Sequence, residues 1–466
     1  MADQFDLVIV GGGPGGYSAA FYGASAGLSV ALVEKDTIGG TCLNRGCIPA
    51  KAFLETAAAR RHAEHANEFG IATVVGDVNF ATAQARKQKI VDGLVKGLGG
   101  LVKMKKVTYL TGTGSLNADN TVTVKGTDGS TTVLSGKNVI LAAGSVPRTI
   151  PGFEPGGPVM TSDEVLMLDR IPARIAVIGG GAIGCEFAST FADLGAQVTI
   201  LEGLPKILPG LDADLANVVV RSFQKKKIDI KTGVAVKGHT PTGSGSTVVQ
   251  FGEGETLEVD AVIVSIGRRP YADELNLGAT GVKVSDRGFV EVDEWCRTSA
   301  SNVYAIGDLI NTPQLAHVAY AEAILVVKQV LGEKTVPVAY DRVPWAIYCQ
   351  PEVAWAGPSE EQARAAGHDV VVSKHQFRSN SRAQIIGEID GLVKIIAKKN
   401  ADGTPGQVLG VHMCGPWVTE QLSGGYLAVN WEASVEEIAH FIQPHPSLSE
   451  LFGETVLAMT GRSINS

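Results

Sequence analysis

The clearest indication of fold in this chain is the stretch FDLVIVGGGPGG at residues 5–16. Residues 5–10 are almost wholly apolar, which predicts a buried parallel strand. Glycines in a G-x-G-x-x-G spacing come next, and a helix-like run follows them. Gly11 permits a tight turn, Gly13 lets the backbone approach a pyrophosphate, and Gly16 permits close helix packing. The stretch therefore predicts a dinucleotide-binding unit of strand, loop and helix.

The residues after this loop strengthen the prediction. We expect a helix from Tyr17 to Gly27 and then a strand that ends at Glu34. An acid about 20 residues beyond such a loop is placed to bond the hydroxyls of a ribose. Glu34 stands at close to this spacing from Gly11, so it is the candidate for that role.

The same pattern repeats in the middle of the chain. RIAVI at 174–178 predicts a strand, and GGGAIG at 179–184 repeats the glycine spacing. Glu202 follows Gly179 at the same spacing at which Glu34 follows Gly11. Two such units in one chain predict two bound dinucleotides, with hydride passing between two cofactors. The acid at Glu202 favours a free ribose 2′-hydroxyl, so the second unit should prefer NAD(H) to NADP(H).

A cysteine pair stands in GGTCLNRGCIPAK at residues 39–51. In a regular helix Cys42 and Cys47 would lie on different faces, about 7.5 Å apart along the axis. A disulfide needs its Cα atoms within roughly 7 Å, so the two can pair only if the helix start is distorted. Gly46 makes such a distortion easier. We interpret the pair as a redox-active disulfide beside a flavin; the alternative is two unpaired cysteines at a helix start.

Three further segments contribute candidate site residues. The strand at 138–147 ends in small residues that would let a nucleotide approach the backbone, although an ordinary strand exit is the alternative. Asp308 follows a strand-end glycine and could accept hydrogen bonds from a cofactor polyol, or it could form an Asx turn. His445 stands between two prolines, with Glu450 at a predicted helix start. A histidine oriented by a carboxylate is a general acid–base arrangement, whereas a surface histidine beside a capping glutamate is the alternative.

Composition limits the class of protein. A length of 466 residues suits two to four domains, and 56 glycines with 45% hydrophobic residues indicate an α/β protein. The net charge of −8 offers no basic surface for nucleic acid. Every apolar run is shorter than the roughly 18 residues that a membrane span needs, and the first strand begins too early to leave room for a targeting peptide. We therefore expect a cytoplasmic protein whose six cysteines form no secreted disulfide framework.

The motifs together resemble those of the flavoprotein disulfide reductases, also called the pyridine nucleotide–disulfide oxidoreductases. The similarity covers essentially the whole chain. The motifs that carry it are GGGPGG, GGTCLNRGCIPAK, AAGSVP, GGGAIGCEF, AIGD, PEVAWAG, NSRA and HPSLSE. The cysteine-pair and HPxxSE motifs are highly specific to the family, whereas the glycine loops alone are not. Within the family, the chain is most similar to members that oxidise dihydrolipoamide with NAD⁺.

The resemblance implies an α/β fold with two Rossmann-like dinucleotide-binding domains and an α+β C-terminal dimerisation domain. It places an FAD domain at 1–148 and an NAD domain at 149–276. A central domain at 277–342 completes the FAD site, and 343–466 forms the dimer interface. The implied cofactors are FAD and NAD, without a metal. The implied partners are a second copy of the chain and the lipoylated carrier domain of a 2-oxo acid dehydrogenase or glycine cleavage complex.

The resemblance also implies roles for individual residues. Cys47 is the sulfur next to the flavin, and Cys42 is the sulfur that exchanges with substrate. Lys51 and Glu186 match a pair beside the flavin ring. His445 and Glu450 match an acid–base dyad that reaches the disulfide from the partner subunit. The implied cofactor contacts are Gly11, Gly13, Gly16, Glu34, Lys51, Gly144, Asp308 and Ala316 on the FAD side, Gly179, Gly181, Gly184 and Glu202 on the NAD side, and Gly267.

Other functions stay open at this point. A relative that reduces glutathione disulfide would usually carry basic residues after the second nucleotide unit, and Gly203 stands there instead. A mercuric reductase would carry an additional cysteine pair near its C-terminus, which this chain lacks. A flavin-bearing scaffold or redox sensor would need neither the cysteine pair nor the dyad. The segment 416–420 departs from the family's usual small residues, so it leaves the identity of the partner complex open.

Overall fold

The computed structural model describes residues 4–243 and 245–464. The N-terminal elements are β1 (Gln4–Val10), α1 (Pro14–Ser25), β2 (Val30–Glu34), α2 (Gly40–Arg45), α3 (Cys47–His65), α4 (Phe80–Met104), β3 (Thr108–Thr111), β4 (Thr113–Leu116), β5 (Val122–Lys125), β6 (Thr131–Leu141) and β7 (Ser145–Pro147). The middle elements are β8 (Val159–Met160), α5 (Ser162–Val165), β9 (Arg174–Ile178), α6 (Ala182–Asp193), β10 (Gln197–Glu202), α7 (Ala213–Lys225), β11 (Asp229–Thr232), β12 (Val236–Pro241), β13 (Thr247–Phe251), β14 (Glu255–Val259), β15 (Ala261–Val264), β16 (Arg268–Pro270), β17 (Val303–Ala305) and α8 (Ala316–Val330). The C-terminal elements are β18 (Trp345–Ile347), β19 (Glu352–Ala356), α9 (Glu360–Ala365), β20 (Val370–Gln376), α10 (Ser381–Ile386), β21 (Leu392–Lys399), β22 (Pro405–Gly415), α11 (Val418–Asn430), α12 (Val435–Ala439) and α13 (Glu450–Met459).

The first parallel sheet forms around β1. Strand β1 pairs in parallel with β2 on one side and β6 on the other, and β3 and β17 extend the sheet outward. Residues 7–9 of β1 are fully buried, as expected for a strand covered on both faces. Because the carboxyl ends of parallel strands meet at one edge, the glycine loop after β1 lies beside the exits of β6 and β17.

The second parallel sheet has the order β11-β10-β9-β15-β8. Strand β9 again carries the glycine loop, between β10 and β15. A three-stranded antiparallel sheet of β12, β13 and β14 lies next to it in the chain. The antiparallel pair β7–β16 connects the exit of the first unit to the exit of the second. The two predicted nucleotide units are therefore present, and their ligand edges lie close together.

Two local predictions needed correction. Helix α1 begins at Pro14 rather than at Tyr17, because proline fits the first turn, where its missing N–H leaves no hydrogen bond unmade. The stretch 107–135 alternates between polar and apolar residues and contains several Gly and Asp turn signals, which predicts a small antiparallel insert; the structure confirms this only in part. Strand β3 extends the parallel sheet beside β2, and only β4, β5 and the start of β6 pair antiparallel. Alternation reveals a half-buried strand but does not identify its partner.

The C-terminal part is an antiparallel sheet of order β18-β19-β22-β21-β20, and helices α11, α12 and α13 share its core. This agrees with the α+β pattern predicted there. The four scattered cysteines, Cys185, Cys296, Cys349 and Cys414, are buried free thiols, as expected of small core residues. Among the helices of residues 4–243 and 245–464, none combines the length and the apolar character that a membrane span requires.

Candidate active site

The cysteine pair lies where two helices meet at Gly46. Helix α2 ends at Arg45, and α3 begins at Cys47. Gly46 between them has φ −144° and ψ −112°, which breaks the helix. A Cβ on Gly46 would lie 3.0 Å from the carbonyl oxygen of Thr41 and 3.3 Å from the Cα of Cys42. This close approach favours glycine, and the break in the helix at Gly46 places the two thiols close enough to shift each other's pKa. The predicted distortion of the helix start is confirmed.

The two thiols have opposite electrostatic character. The hydrogen bond from Cys42 and the charge of Lys51 lower the pKa of Cys47 to about 7, although burial opposes the shift. The same hydrogen bond and burial raise the pKa of Cys42. At neutral pH, the reduced pair therefore carries its negative charge on Cys47, stabilised by a neighbouring ammonium and a donor thiol.

Lys51 forms a two-pronged ion pair with Glu186. Its Nζ lies 2.9 Å from Oε1 and 2.8 Å from Oε2 of Glu186, and it stands 4.8 Å from the ring centroid of Tyr348. Burial acts to lower the pKa of Lys51, but the charge of Glu186 and its hydrogen bond, together with the nearby Cys47 and Tyr348, raise the pKa overall. Glu186 also accepts a hydrogen bond from the backbone N–H of Tyr348 at 2.9 Å. One carboxylate thus joins α3, α6 and the C-terminal part of the chain beside the thiols.

A continuous cleft of about 1750 Å³ runs between the units. Both cysteines and the Lys51–Glu186 pair lie in its wall. Of the predicted cofactor contacts, it is lined by Gly11, Gly13, Glu34, Gly144, Asp308, Ala316, Gly179, Gly181, Glu202 and Gly267. The structure therefore brings both glycine loops and the redox pair to one cavity, which is large enough for dinucleotides.

Two predicted contacts, Gly16 and Gly184, do not line the cleft. Each lies in the first turn of its helix, packed on the preceding loop. A Cβ on Gly16 would stand 1.7 Å from the carbonyl oxygen of Gly11, and one on Gly184 would stand 1.9 Å from that of Gly179. A side chain at either position would therefore overlap its own loop, which agrees with the packing role predicted for the third glycine of the spacing.

The two acids at the strand ends, Glu34 and Glu202, each accept backbone hydrogen bonds from the neighbouring loops. Glu34 accepts the backbone N–H of Gly12 at 2.6 Å, and its other oxygen accepts that of Asp36 at 2.8 Å. Glu202 repeats this arrangement with Gly180 at 2.6 Å and Leu204 at 2.7 Å. Each acid is buried against its loop and lines the cleft. Carboxylate oxygens can accept more than one hydrogen bond, so both remain able to accept from ribose hydroxyls.

Asp308 belongs to a network that the sequence did not predict. The hydroxyl of Ser145 donates to Oδ2 of Asp308 at 2.5 Å, and Arg268 donates to the Ser145 hydroxyl and carbonyl, each at 2.7 Å. Burial raises the pKa of Asp308 and lowers that of Arg268, since desolvation disfavours both charges. Arg268 lies in β16 and Ser145 in β7, so their pairing depends on contact between units distant in the chain.

Two tyrosines near the cysteine pair were also missed. The phenol oxygens of Tyr17 and Tyr320 are 2.6 Å apart, and both lie within electrostatic range of Cys42 and Cys47. Burial raises the pKa of both hydroxyls. Tyr17 directly follows the first glycine loop, but no sequence signal places Tyr320 of α8 beside it.

His445 and Glu450 form the predicted dyad. Nδ1 of His445 lies 2.8 Å from Oε1 of Glu450, whose other oxygen accepts the backbone N–H of Ser447 at 2.6 Å. The His445 side chain is 71% exposed and does not line the cleft of its own chain. The carboxylate engages one ring nitrogen, which leaves Nε2 for chemistry.

The cleft wall also carries a buried donor without a partner. Within the part of the chain that the structure describes, Nε2 of Gln314 is shielded from solvent and makes no hydrogen bond. Gln314 lies in the wall just before Ala316, where α8 begins. A buried amide of this kind needs an acceptor, and a bound dinucleotide would supply one. The residues present thus fit an FAD and a nicotinamide nucleotide.

Comparison with known families agrees with this geometry. The family model described as pyridine nucleotide-disulphide oxidoreductase matches residues 5–323, and its dimerisation domain matches residues 343–456. The chain is 40% identical to a dihydrolipoyl dehydrogenase of Bacillus subtilis, with both chains fully covered. It is 39% identical to the dihydrolipoyl dehydrogenase of Trypanosoma brucei brucei over 99% of this chain and 98% of that protein. It is also 38% identical to the leghemoglobin reductase of Glycine max, over 98% and 88%.

Solved structures give the same picture. LpdA from Mycobacterium tuberculosis superimposes with a TM-score of 0.92 at 26% identity, covering 98% of this chain and all of that chain. The Cu(II) complex of the HOCl-induced flavoprotein disulfide reductase RclA from Escherichia coli superimposes with a TM-score of 0.88 at 26% identity, covering 98% and 99%. The predicted fold class and the predicted resemblance are confirmed.

Proposed function

Because the chain belongs to the pyridine nucleotide-disulphide oxidoreductase family, we propose that it oxidises protein-bound dihydrolipoamide to lipoamide with NAD⁺. It is an oxidoreductase that uses FAD and NAD, as predicted. FAD, when bound, supplies a carrier that takes two electrons from a dithiol and passes them on as hydride. The observation that carries the proposal is the cysteine pair standing in the wall of the cavity that both glycine loops share.

The thiol half-reaction begins with His445. We assign its Nε2 as the base that removes a proton from a substrate thiol, since the thiolate is the attacking species. Glu450 holds the imidazole at Nδ1 and stabilises the imidazolium that forms. The exposure of His445 and its position outside its own cleft wall agree with a role at the cysteine pair of a second subunit.

Sulfur exchange then follows in two steps. With the pair oxidised, the substrate thiolate attacks Sγ of Cys42, the Cys42–Cys47 bond breaks, and Cys47 leaves as a thiolate. The second substrate thiol then attacks the substrate sulfur of the mixed disulfide, and the bond from that sulfur to Cys42 breaks. Lipoamide is released, and the proton of the second thiol passes to Cys42, which leaves as a thiol. Cys47 is a good leaving group because the charge of Lys51 lowers its pKa. Lys51 stabilises the charge that develops there.

The choice of nicotinamide follows from the second unit. Glu202 ends β10 beside the loop at 179–181, where it would accept from ribose hydroxyls and repel a 2′-phosphate. We therefore propose NAD⁺ as the oxidant. For FAD, the residues that would hold it are Gly11, Gly13, Glu34, Lys51, Gly144, Asp308 and Ala316.

The biological partner is proposed from the same chemistry. A dithiol on a lipoylated carrier domain of a 2-oxo acid dehydrogenase or glycine cleavage complex is the substrate that this site would serve. We propose that a homodimer does so in the cytoplasm. The dimerisation-domain match supports the homodimer, and the buried free cysteines suit a reducing compartment.

Replacement of His445 tests the assignment. H445Q should slow oxidation of dihydrolipoamide by about 10²-fold to 10⁴-fold, the usual range for an acid–base group. Reduction of ferricyanide by NADH, which bypasses the thiols, should be unchanged. H440Q is the matched control, because His440 is an exposed histidine that also faces a carboxylate, Glu436 at 3.5 Å. Unchanged lipoamide turnover in H445Q would remove His445 from the mechanism. Parallel assays with glutathione disulfide and with NADPH test the other members of the family.

A further inference from the structure

Helix α8 carries a charged group where its neighbours are apolar. Glu322 is completely buried, at 0% exposure, among helix residues such as Val318, Ala323 and Val326 that face the core. An unpaired carboxylate at such a position would be strongly destabilising, and an apolar side chain of similar size would avoid that cost. Burial does raise the pKa of Glu322, and hydrogen bonds to its carboxylate oppose that shift. The presence of an acid here therefore needs an explanation.

Three donors satisfy this carboxylate. Oε2 of Glu322 accepts the backbone N–H of Gly307 at 2.6 Å. Oε1 accepts the hydroxyl of Thr312 at 2.8 Å and the phenol hydroxyl of Tyr340 at 3.0 Å. The donors come from both sides of α8 in the chain, and Glu322 is the point at which they meet.

All three donors lie in the wall of the cofactor cleft. Gly307 directly precedes Asp308, the predicted polyol acceptor. Thr312 begins the run that leads to Gln314, whose amide lacks a partner, and to the start of α8. None of these donors belongs to a strand or an α-helix, so their positions are not set by long ladders of backbone hydrogen bonds. The carboxylate fixes irregular backbone that faces the cofactor.

We propose that Glu322 is the positioning residue of the FAD site, holding the Asp308 turn, the loop that leads to Ala316, and Tyr340 in one arrangement. This inference rests on the proposed function. Glu322 touches no cofactor itself; it acts through the segments that do. Its loss should weaken FAD binding and change the environment of the bound flavin, whereas a residue of purely structural importance would change stability alone.

The test is FAD binding to apoprotein, followed by quenching of flavin fluorescence. E322Q keeps the shape but replaces one acceptor oxygen with a donor, so it should raise the Kd for FAD by about 10-fold to 100-fold. T312V and Y340F each remove one donor and should raise the Kd by about 2-fold to 10-fold. The visible spectrum of reconstituted E322Q should be shifted from that of the wild type.

D212N is the matched control. Asp212 is a buried carboxylate, 4% exposed, that pairs with Lys394 at 3.0 Å outside the cleft wall. The D212N substitution should lower the melting temperature without changing the Kd for FAD. If E322Q does not fold, T312V and Y340F carry the test. Wild-type Kd and spectrum in those variants would overturn the role of Glu322, whereas a wild-type apoprotein that binds no FAD would overturn the proposed function instead.

Discussion

The two nucleotide-binding units have nearly the same loop but very different surroundings. In each, the first glycine has a positive φ, +109° at Gly11 and +102° at Gly179. In each, the strand-end acid bonds the backbone of the second glycine at 2.6 Å. The helices that follow differ, since α1 is only partly buried and packs on α8, whereas α6 is buried from Gly184 to Phe191 and packs on α3.

This difference shows that dinucleotide binding and thiol chemistry depend on different parts of the molecule. The loops need only local geometry to receive a dinucleotide, and both units supply it in the same way. Because α6 is surrounded by other parts of the molecule, it can present Glu186 to Lys51 beside the thiols. The position of α1 that corresponds to Glu186 is Ser18, which carries no charge to pair with a lysine. The glycine loop that both units share therefore explains dinucleotide binding. The surroundings that only α6 has explain why the Lys51–Glu186 pair lies beside the reactive thiols.

The largest effect should come from filling the tight turns. G16A should abolish FAD binding, with a loss of more than about 100-fold, because a Cβ there overlaps the carbonyl oxygen of Gly11. G184A should keep its flavin and lose NADH binding to a similar degree. Flavin content per chain and NADH titration measure the two effects. G93A is the control, since a Cβ on Gly93 meets open space. A flavin-loaded G16A would show that the first loop tolerates a side chain at this turn.

Substitution of the two strand-end acids, Glu34 and Glu202, should affect different cofactors. E202Q should lower the preference for NADH over NADPH by roughly 10-fold to 100-fold, because one negative charge facing the ribose is removed. E34Q, with the same local bonds, should leave that preference unchanged and weaken FAD binding instead. The ratio of kcat/KM for the two nicotinamides measures the first effect. An equal change in both variants would contradict the assignment of the second unit to NAD.

The ion pair between the units should control the reduced thiol. The hydrogen bond from Cys42 and the charge of Lys51 lower the pKa of Cys47, whereas burial and Glu186 raise it, so the wild-type thiolate should appear with a midpoint of about 7 as pH rises. K51M should move this midpoint up towards the roughly 8.5 of a free thiol. E186Q should move it down. Alkylation of the reduced enzyme by iodoacetamide across pH, with the labelled peptide identified by mass spectrometry, measures both shifts. Movement in one direction for both variants would reject this electrostatic account.

The smallest effect belongs to a contact that only the first unit has. Lys35 follows Glu34 and lies 2.6 Å from Glu274, both about two-fifths exposed, while Gly203 stands at the equivalent place in the second unit. An exposed ion pair contributes little, so K35A should change the free energy of unfolding by less than about 1 kcal/mol. Urea unfolding measures this. A larger loss would mean that the adenosine end of the first unit depends on Lys35.

Features set by local geometry could be predicted from the sequence. A glycine loop between a strand and a helix, an acid at the next strand end, and a glycine between two cysteines all act within a short length of chain. The Arg268–Ser145 and Tyr17–Tyr320 contacts could not be predicted, because each joins residues far apart in the sequence. The parallel pairing of β3 could not be predicted either, because it depends on the free edge that β2 offers in the folded sheet.

The carboxylate of Glu186 also limits how such an enzyme can be rebuilt. This carboxylate accepts hydrogen bonds from Lys51 in one part of the chain and from the backbone N–H of Tyr348 in another. A chimera that exchanged the middle of the chain for that of a distant homologue would break both bonds unless the donor segment carried a glutamate at this place. Recombinant chimeras should therefore accept new surface loops. They should fold correctly only if Glu186, Lys51 and the backbone around Tyr348 are exchanged together.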